Sequence, residues 1–175
     1  MLLRLLLLLC LFFLPQASLT VQVGATLPDD VPDTCPVTKP YQTSLFVPPS
    51  PYPAKASTGM FWFGTDRLWT LLPENPIWKL GRAAPNDPTL REKLFYWRQG
   101  YSVDTEPQPK PKLTVTGRPL DSPAQPLLAD KASNGWVNRN QPFIVTAVNF
   151  PTVGCWEVTA RYTADDLTFV VWISK

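Results

Sequence analysis

The chain has 175 residues, with 16 basic against 14 acidic side chains and no histidine. That balance gives no electrostatic reason to expect nucleic acid or an anionic membrane as a partner. Without histidine, Ser-His-Asp and Cys-His nucleophiles are excluded, as are histidine-ligated zinc and blue-copper sites.

"MLLRLLLLLCLFFLPQAS" carries one cation, Arg4, then an unbroken apolar run from Leu5 to Leu14 and a polar, small-residue stretch. That order predicts a secretory signal peptide over residues 1–18. The run has about 10 residues where a spanning helix needs ~20, which argues against a membrane anchor. Cleavage after Ala17 or Ser18 fits the small-residue preference, and Ala25 is a usable later site. Cys10 lies inside the apolar run behind the bulky Leu9, which does not suit lipidation, so it is expected to leave with the signal. About 156 residues remain, enough for one domain that buries roughly two-thirds of its unfolded surface.

Residues 19–58 place prolines every few positions, as in "LPDDVPDTCPVTKP" and "FVPPSPYPAK". Each proline removes a backbone donor and biases the residue before it toward extended conformations. The segment is therefore neither a helix nor a central strand. It reads as a disordered leader or as an extended arm laid over the domain, and the cysteine inside it argues for the arm. Asp29, Asp30 and Asp33 lack a calcium-loop pattern and read as solvated charge.

From residue 59 the pattern predicts a β-domain running to residue 175. "MFWFG" and "LWTLLP", joined by "TDR", read as a hairpin. "IWKLGR" is a third short strand, bounded by Pro76 and "AAPNDP". "KLFYWRQGY" is a fourth, with Phe95 and Trp97 on one face and Leu94, Tyr96 and Arg98 on the other. "EPQPKPK" (106–112) is a stiff, charged linker or long loop and marks a sub-boundary at 105–112. One continuous sandwich is preferred over two subdomains, because about 45 residues before the linker are few for an independent core.

Beyond the linker, "KLTVTGRPL" alternates with Leu113 and Val115 on one face, and "DSPAQPLLADKASNG" reads as a loop. "PFIVTAVNF", "CWEVTARY" and "LTFVVWISK" follow as three consecutive strands, the last two joined by a turn at "TADD". Trp156, Val158, Ala160 and Tyr162 share the face that meets Leu167, Phe169, Val171 and Ile173, while Glu157, Thr159 and Arg161 face water. Asp165 and Asp166 are read as turn residues. Short strands at this spacing predict an all-β fold, an antiparallel immunoglobulin-like β-sandwich with an irregular proline-rich N-terminal arm.

Two cysteines survive signal cleavage, Cys35 and Cys155. In an oxidising compartment such a pair is expected to bond, tying the arm to the start of the "CWEV" strand. A free thiol and an intermolecular bond are the competing readings. No cation adjoins Cys155 to lower its pKa. The seven tryptophans are many for one domain. Trp156 is in phase with the core. Trp62, Trp69, Trp97 and Trp172 are the candidate ligand-stacking residues, Trp172 because it falls on the face opposite Phe169 and Val171. No phosphate-binding loop or metal-ligand spacing is present, and no cofactor is expected.

"FPTVGCWEVTARY…LTFVVWI" resembles the C-terminal hairpin of a group of uncharacterised secreted bacterial proteins, and "GTDRLWTLLP" and "LTVTGRPLD" are similar to further blocks of that group. The resemblance implies a bacterial envelope or extracellular location and an immunoglobulin-like sandwich, and it implies no activity. The expectation is a secreted or cell-envelope, non-enzymatic β-sandwich, extracellular, periplasmic or surface-bound, that contacts a glycan or protein through exposed aromatics. The alternative from another class is a polysaccharide-acting hydrolase working with carboxylates alone. A third is a purely structural accessory domain of a larger envelope assembly.

Overall fold

The computed structural model describes residues 30–40, 46–105, 112–137 and 141–175. The expected signal peptide with Cys10, Asp29, the adjoining parts of the proline-rich segment and most of the 106–112 linker lie outside these residues. Among the described residues there is no helix, and eleven strands form two sheets.

The strands follow in chain order as β1 (Met60–Gly64), β2 (Trp69–Pro73), β3 (Ile77–Lys79), β4 (Arg82–Ala84), β5 (Asp87–Trp97), β6 (Leu113–Pro119), β7 (Leu128–Ala129), β8 (Ser133–Trp136), β9 (Pro142–Phe150), β10 (Gly154–Tyr162) and β11 (Asp165–Ser174). The first sheet runs β1-β2-β5-β9-β7, with β4 also paired to β5 and β8 to β9. The second runs β3-β11-β10-β6. All pairings are antiparallel except that of β11 with β3.

The expected alternation explains which faces meet. Trp156, Val158, Ala160 and Tyr162 of β10 pair with Val171, Phe169, Leu167 and Asp165 of β11, and the four β10 side chains are fully buried. From the other sheet, Leu90, Leu94, Tyr96, Ile144, Val148 and Phe150 point to the same interior and join one cluster with them. Residues from both sides of the 106–111 stretch share that core. Each large apolar side chain so buried contributes roughly 1.5–3 kcal/mol relative to exposure.

Two sequence expectations change, and the strand order, which the sequence leaves open, is settled. Of the strands read from 142–150, 155–162 and 167–175, β9 pairs with β5 in the first sheet while β10 and β11 pair with each other in the second. The chain switches sheets at Pro151–Val153, where proline offers no ladder donor. Phe150 and Trp156 then both face inward and meet edge-on at 5.4 Å. Gly154 completes the corner at φ 126°, and a Cβ there would sit 2.7 Å from the Asp121 carboxylate that accepts the Cys155 N–H. The stretch expected as a loop over 121–135 holds β7 and the start of β8, both paired to β9. Asp165 and Asp166 belong to β11 rather than to the turn, which contracts to Thr163–Ala164 with Thr163 at φ 55°. Asp166 accepts two bonds of 2.6 Å from the Arg161 fork, and those bonds hold its carboxyl below the usual range. Both side chains are exposed, so the pair adds little stability.

Cys35 and Cys155 form a disulfide across 120 residues of chain. It sits on the outer face of the second sheet in a small cluster with Val37 and Trp172. Thr38 continues the contact, donating its N–H to the Val170 carbonyl while its hydroxyl accepts the Val170 N–H, both at 2.9 Å. The bond thus lays residues 31–38 over β10 and β11. In the chain-entropy description a loop of that length stabilises the fold by about 5 kcal/mol, less any strain. The Cys35→Ser, Cys155→Ser double variant is expected to lose about 2–5 kcal/mol in denaturant unfolding, with Trp172 emission shifted to the red. Unchanged unfolding midpoints in the variant, or an intact mass that does not rise on reduction, would count against this bond.

Candidate functional site

The faces turned away from the core differ in chemistry. On the outer face of β10 the side chains are Glu157, Thr159 and Arg161, none of them buried, and Arg118 pairs with Glu157 at 2.7 Å. That face is polar where the cysteine cluster ends. The outer face of the first sheet divides in two. One half carries Arg91, Lys93 and Asn149, with Arg91 reaching Asp130. The other half is aromatic.

The aromatic half follows from strand register. Gly64 pairs with Trp69 and Trp62 with Leu71, which puts Trp62 and Trp69 on the face opposite the core residues Phe61 and Leu72. Trp69 pairs with Trp97 across β2 and β5, and Phe95 pairs with Val145 across β5 and β9. The period of two therefore collects Trp62, Trp69, Trp97, Phe95 and Phe143 on one surface. Their rings touch in sequence. Trp62 meets Trp97 edge-on at 5.1 Å, Trp97 lies 5.9 Å from Phe143, and Phe143 meets Phe95 at 5.5 Å. Phe143 also covers Gly135 of β8, where a Cβ would come within 2.3 Å of the ring, so only glycine lets the ring lie flat on that strand.

The structure brings together three of the four candidate tryptophans. Trp62 is half-buried at the edge of this surface, while Trp97 and Trp69 are 8 % and 0 % exposed. Trp172 is on the other sheet, 4 % exposed beneath the cysteine cluster, and takes no part in it. Sequence reasoning missed Phe95 and Phe143 as members. Phe95 was already in phase with Trp97, so alternation alone could have found it, but Phe143 needed the β5–β9 pairing. Phe95 is the one large apolar side chain of the surface that stands clearly open, at 39 %.

What buries Trp69 is not the core, for neither it nor Trp97 belongs to a core cluster. Residues 46–53 lie over it. Phe46 is 5.8 Å and Tyr52 5.3 Å from its ring, and the Tyr52 hydroxyl donates to the Pro142 carbonyl at 3.0 Å. Trp62 Nε1 donates to the Pro53 carbonyl at 3.0 Å and Gln141 Nε2 to the Pro51 carbonyl at 2.8 Å. The indole N–H of Trp69 itself has no partner among the described residues.

An apolar cavity of about 380 Å³, which Phe95 also lines, opens where β2 parts from β5. Chain from Ile77 to Leu80 crosses there to the second sheet as β3, leaving a window lined by Leu71, Trp78, Leu80 and Leu94. Lys93 faces this gap with its N–H bonded to the Glu92 carboxylate at 2.7 Å, and the Thr70 hydroxyl donates to the Phe95 carbonyl at 2.7 Å. Side chains thus stand in for a strand that is not there. Glu92 is the one carboxylate in the lining, where a glycosidase needs two facing each other. No group of three or more potential metal ligands occurs among the described residues.

No family model, curated protein or solved structure matches the chain significantly.

Burial raises the Tyr52 pKa above the ordinary tyrosine value. The sign follows from the neutral form being the docked one. The contribution of Tyr52 is present in full below the unfolded pKa and is lost as pH rises through the higher folded value. Burial raises the Tyr96 hydroxyl as well, so absorbance at 295 nm is expected to show at least two tyrosines ionising late, with tryptophan emission changing as Tyr52, the less buried of the two, ionises. Ionisation of every detectable tyrosine together at the free value would contradict this.

Proposed function

We propose that this is a secreted or cell-envelope, non-enzymatic protein with an immunoglobulin-like β-sandwich and a proline-rich N-terminal arm, which binds a partner through the outer aromatic face of its first sheet. The observation that carries this is the run of ring contacts from Trp62 through Trp97 and Phe143 to Phe95 on the side of the sheet away from the core. Aromatic faces gathered outside a core supply large contact area at small conformational cost and suit amphipathic ligands such as sugar rings or peptide. The location draws support from the disulfide, which persists in oxidising compartments. No helix among the described residues is long and apolar enough to cross a membrane. The likeness of the "GCWEV" hairpin to secreted bacterial proteins supports the same place.

A binding screen with the wild-type protein and a Phe95→Ser, Trp62→Ala variant tests the reading, using a glycan array and immobilised envelope protein. Both substitutions lie outside the core, so the fold is expected to persist. The variant should lose at least tenfold in affinity for whatever the wild type retains. Equal retention by the two proteins would remove the aromatic face from the binding role.

A further inference from the structure

We propose that the aromatic face is a recognition groove for proline-rich segments, that residues 46–53 occupy it as an internal ligand, and that a proline–aromatic segment of a partner protein competes with them for it. This rests on the binding reading above and names the class of partner.

The occupant shows the chemistry of the groove. "FVPPSPYP" offers carbonyls on residues that have no N–H of their own, and two groove side chains, Trp62 and Gln141, aim their N–H groups at two of those carbonyls, on Pro53 and Pro51. Between them Tyr52 sets its ring edge-on against Trp69. Aromatic-lined surfaces that donate to proline carbonyls are a general mode of peptide recognition, because proline loses little conformational entropy on binding and packs flat on a ring.

Two features mark the occupant as exchangeable. It is held at both ends by other means, upstream by the Cys35–Cys155 bond and downstream by β1, so it can leave the groove while both sheets stay intact. None of residues 46–58 belongs to a core cluster. The occupant also uses the groove incompletely. Trp69, fully buried beneath it, keeps an indole N–H with no partner among the described residues. A partner carbonyl reaching that N–H would make a bond the internal segment does not, and a buried donor left unmade is a cost that binding can remove. Tethering gives the internal segment an effective concentration in the millimolar range, so a partner must exceed it and affinity for the closed protein is reduced.

The test uses the full mature chain and a synthetic peptide of residues 46–55, FVPPSPYPAK, with FVAASAYAAK as the proline-free control. Tyr52→Ala weakens the internal segment and leaves the groove side chains in place. With the disulfide intact and near-ultraviolet circular dichroism retained, this variant should bind the peptide at least tenfold more tightly than the wild type does and ignore the control. Adding Trp62→Phe, which removes the donor to the Pro53 carbonyl, should reverse most of that gain. If Tyr52→Ala does not fold, Tyr52→Phe serves instead, since it loses only the hydroxyl bond to Pro142, and a several-fold gain is expected. No gain in the folded variant, or equal binding of the control, overturns the proposal. Capture of a glycan or of a proline-free protein on the same face, without peptide binding, would overturn it while leaving the aromatic-face reading standing.

Discussion

The disulfide between Cys35 and Cys155 fixes where residues 31–38 meet the second sheet. Cys155 opens β10 with its side chain turned away from the core, so its partner must come to the outer face of the second sheet. Thr38 adds two hydrogen bonds to Val170 on that face. Residues 46–53 then lie on the outer face of the first sheet. One covalent bond and a handful of polar contacts therefore place proline-rich chain, which has few ladder donors of its own, on both outsides of the molecule. Entropy supplies the reason the bond matters, since closing so long a loop restricts the unfolded chain far more than a local contact could.

The two outer faces receive that chain differently. On the second sheet the contact is small and apolar, around Val37 and Trp172, and a covalent bond secures it. On the first it consists of rings and of side-chain donors reaching proline carbonyls. Such contacts are individually modest, and none is tied into the core. The difference separates a structural anchor from a surface that can open. It also explains why seven tryptophans do not behave as one class. Trp156 is inside with its N–H bonded to the Thr152 carbonyl, Trp172 is beneath the anchor, and Trp62, Trp69 and Trp97 form the outer surface.

The window where β2 leaves β5 shows a second consequence of the topology. A single chain supplies β2 to one sheet, β3 to the other and β4 to the first again within sixteen residues, from Trp69 to Ala84. That detour leaves part of the β5 edge without a neighbouring strand. Glu92 and Thr70 satisfy main-chain groups there with their side chains, in keeping with the high cost of an unmade bond.

How much could be read beforehand divides along a physical line. Alternation with period two is local, so the sequence by itself determined the β class, the inward set of β10 and β11, the opposition of Leu94 and Tyr96 to Phe95 and Trp97, and the outward aim of Cys155. With no histidine and one partner thiol, it also singled out the pair that bonds. Which strand lies beside which is not local. Nothing in "PFIVTAVNF" says that it pairs with "REKLFYW" rather than with "CWEVTARY", because both faces of the choice are equally apolar. Only the tertiary structure decided that β9 crosses to the other sheet, and with that decision Phe143 arrived beside Trp97 and Phe95. Exposure is non-local too. Phase placed Trp172 away from the core correctly, while the outward side of Trp69 came only from the β1–β2 register, and whether an outward side chain meets water depends on chain elsewhere in the sequence that folds back to cover it.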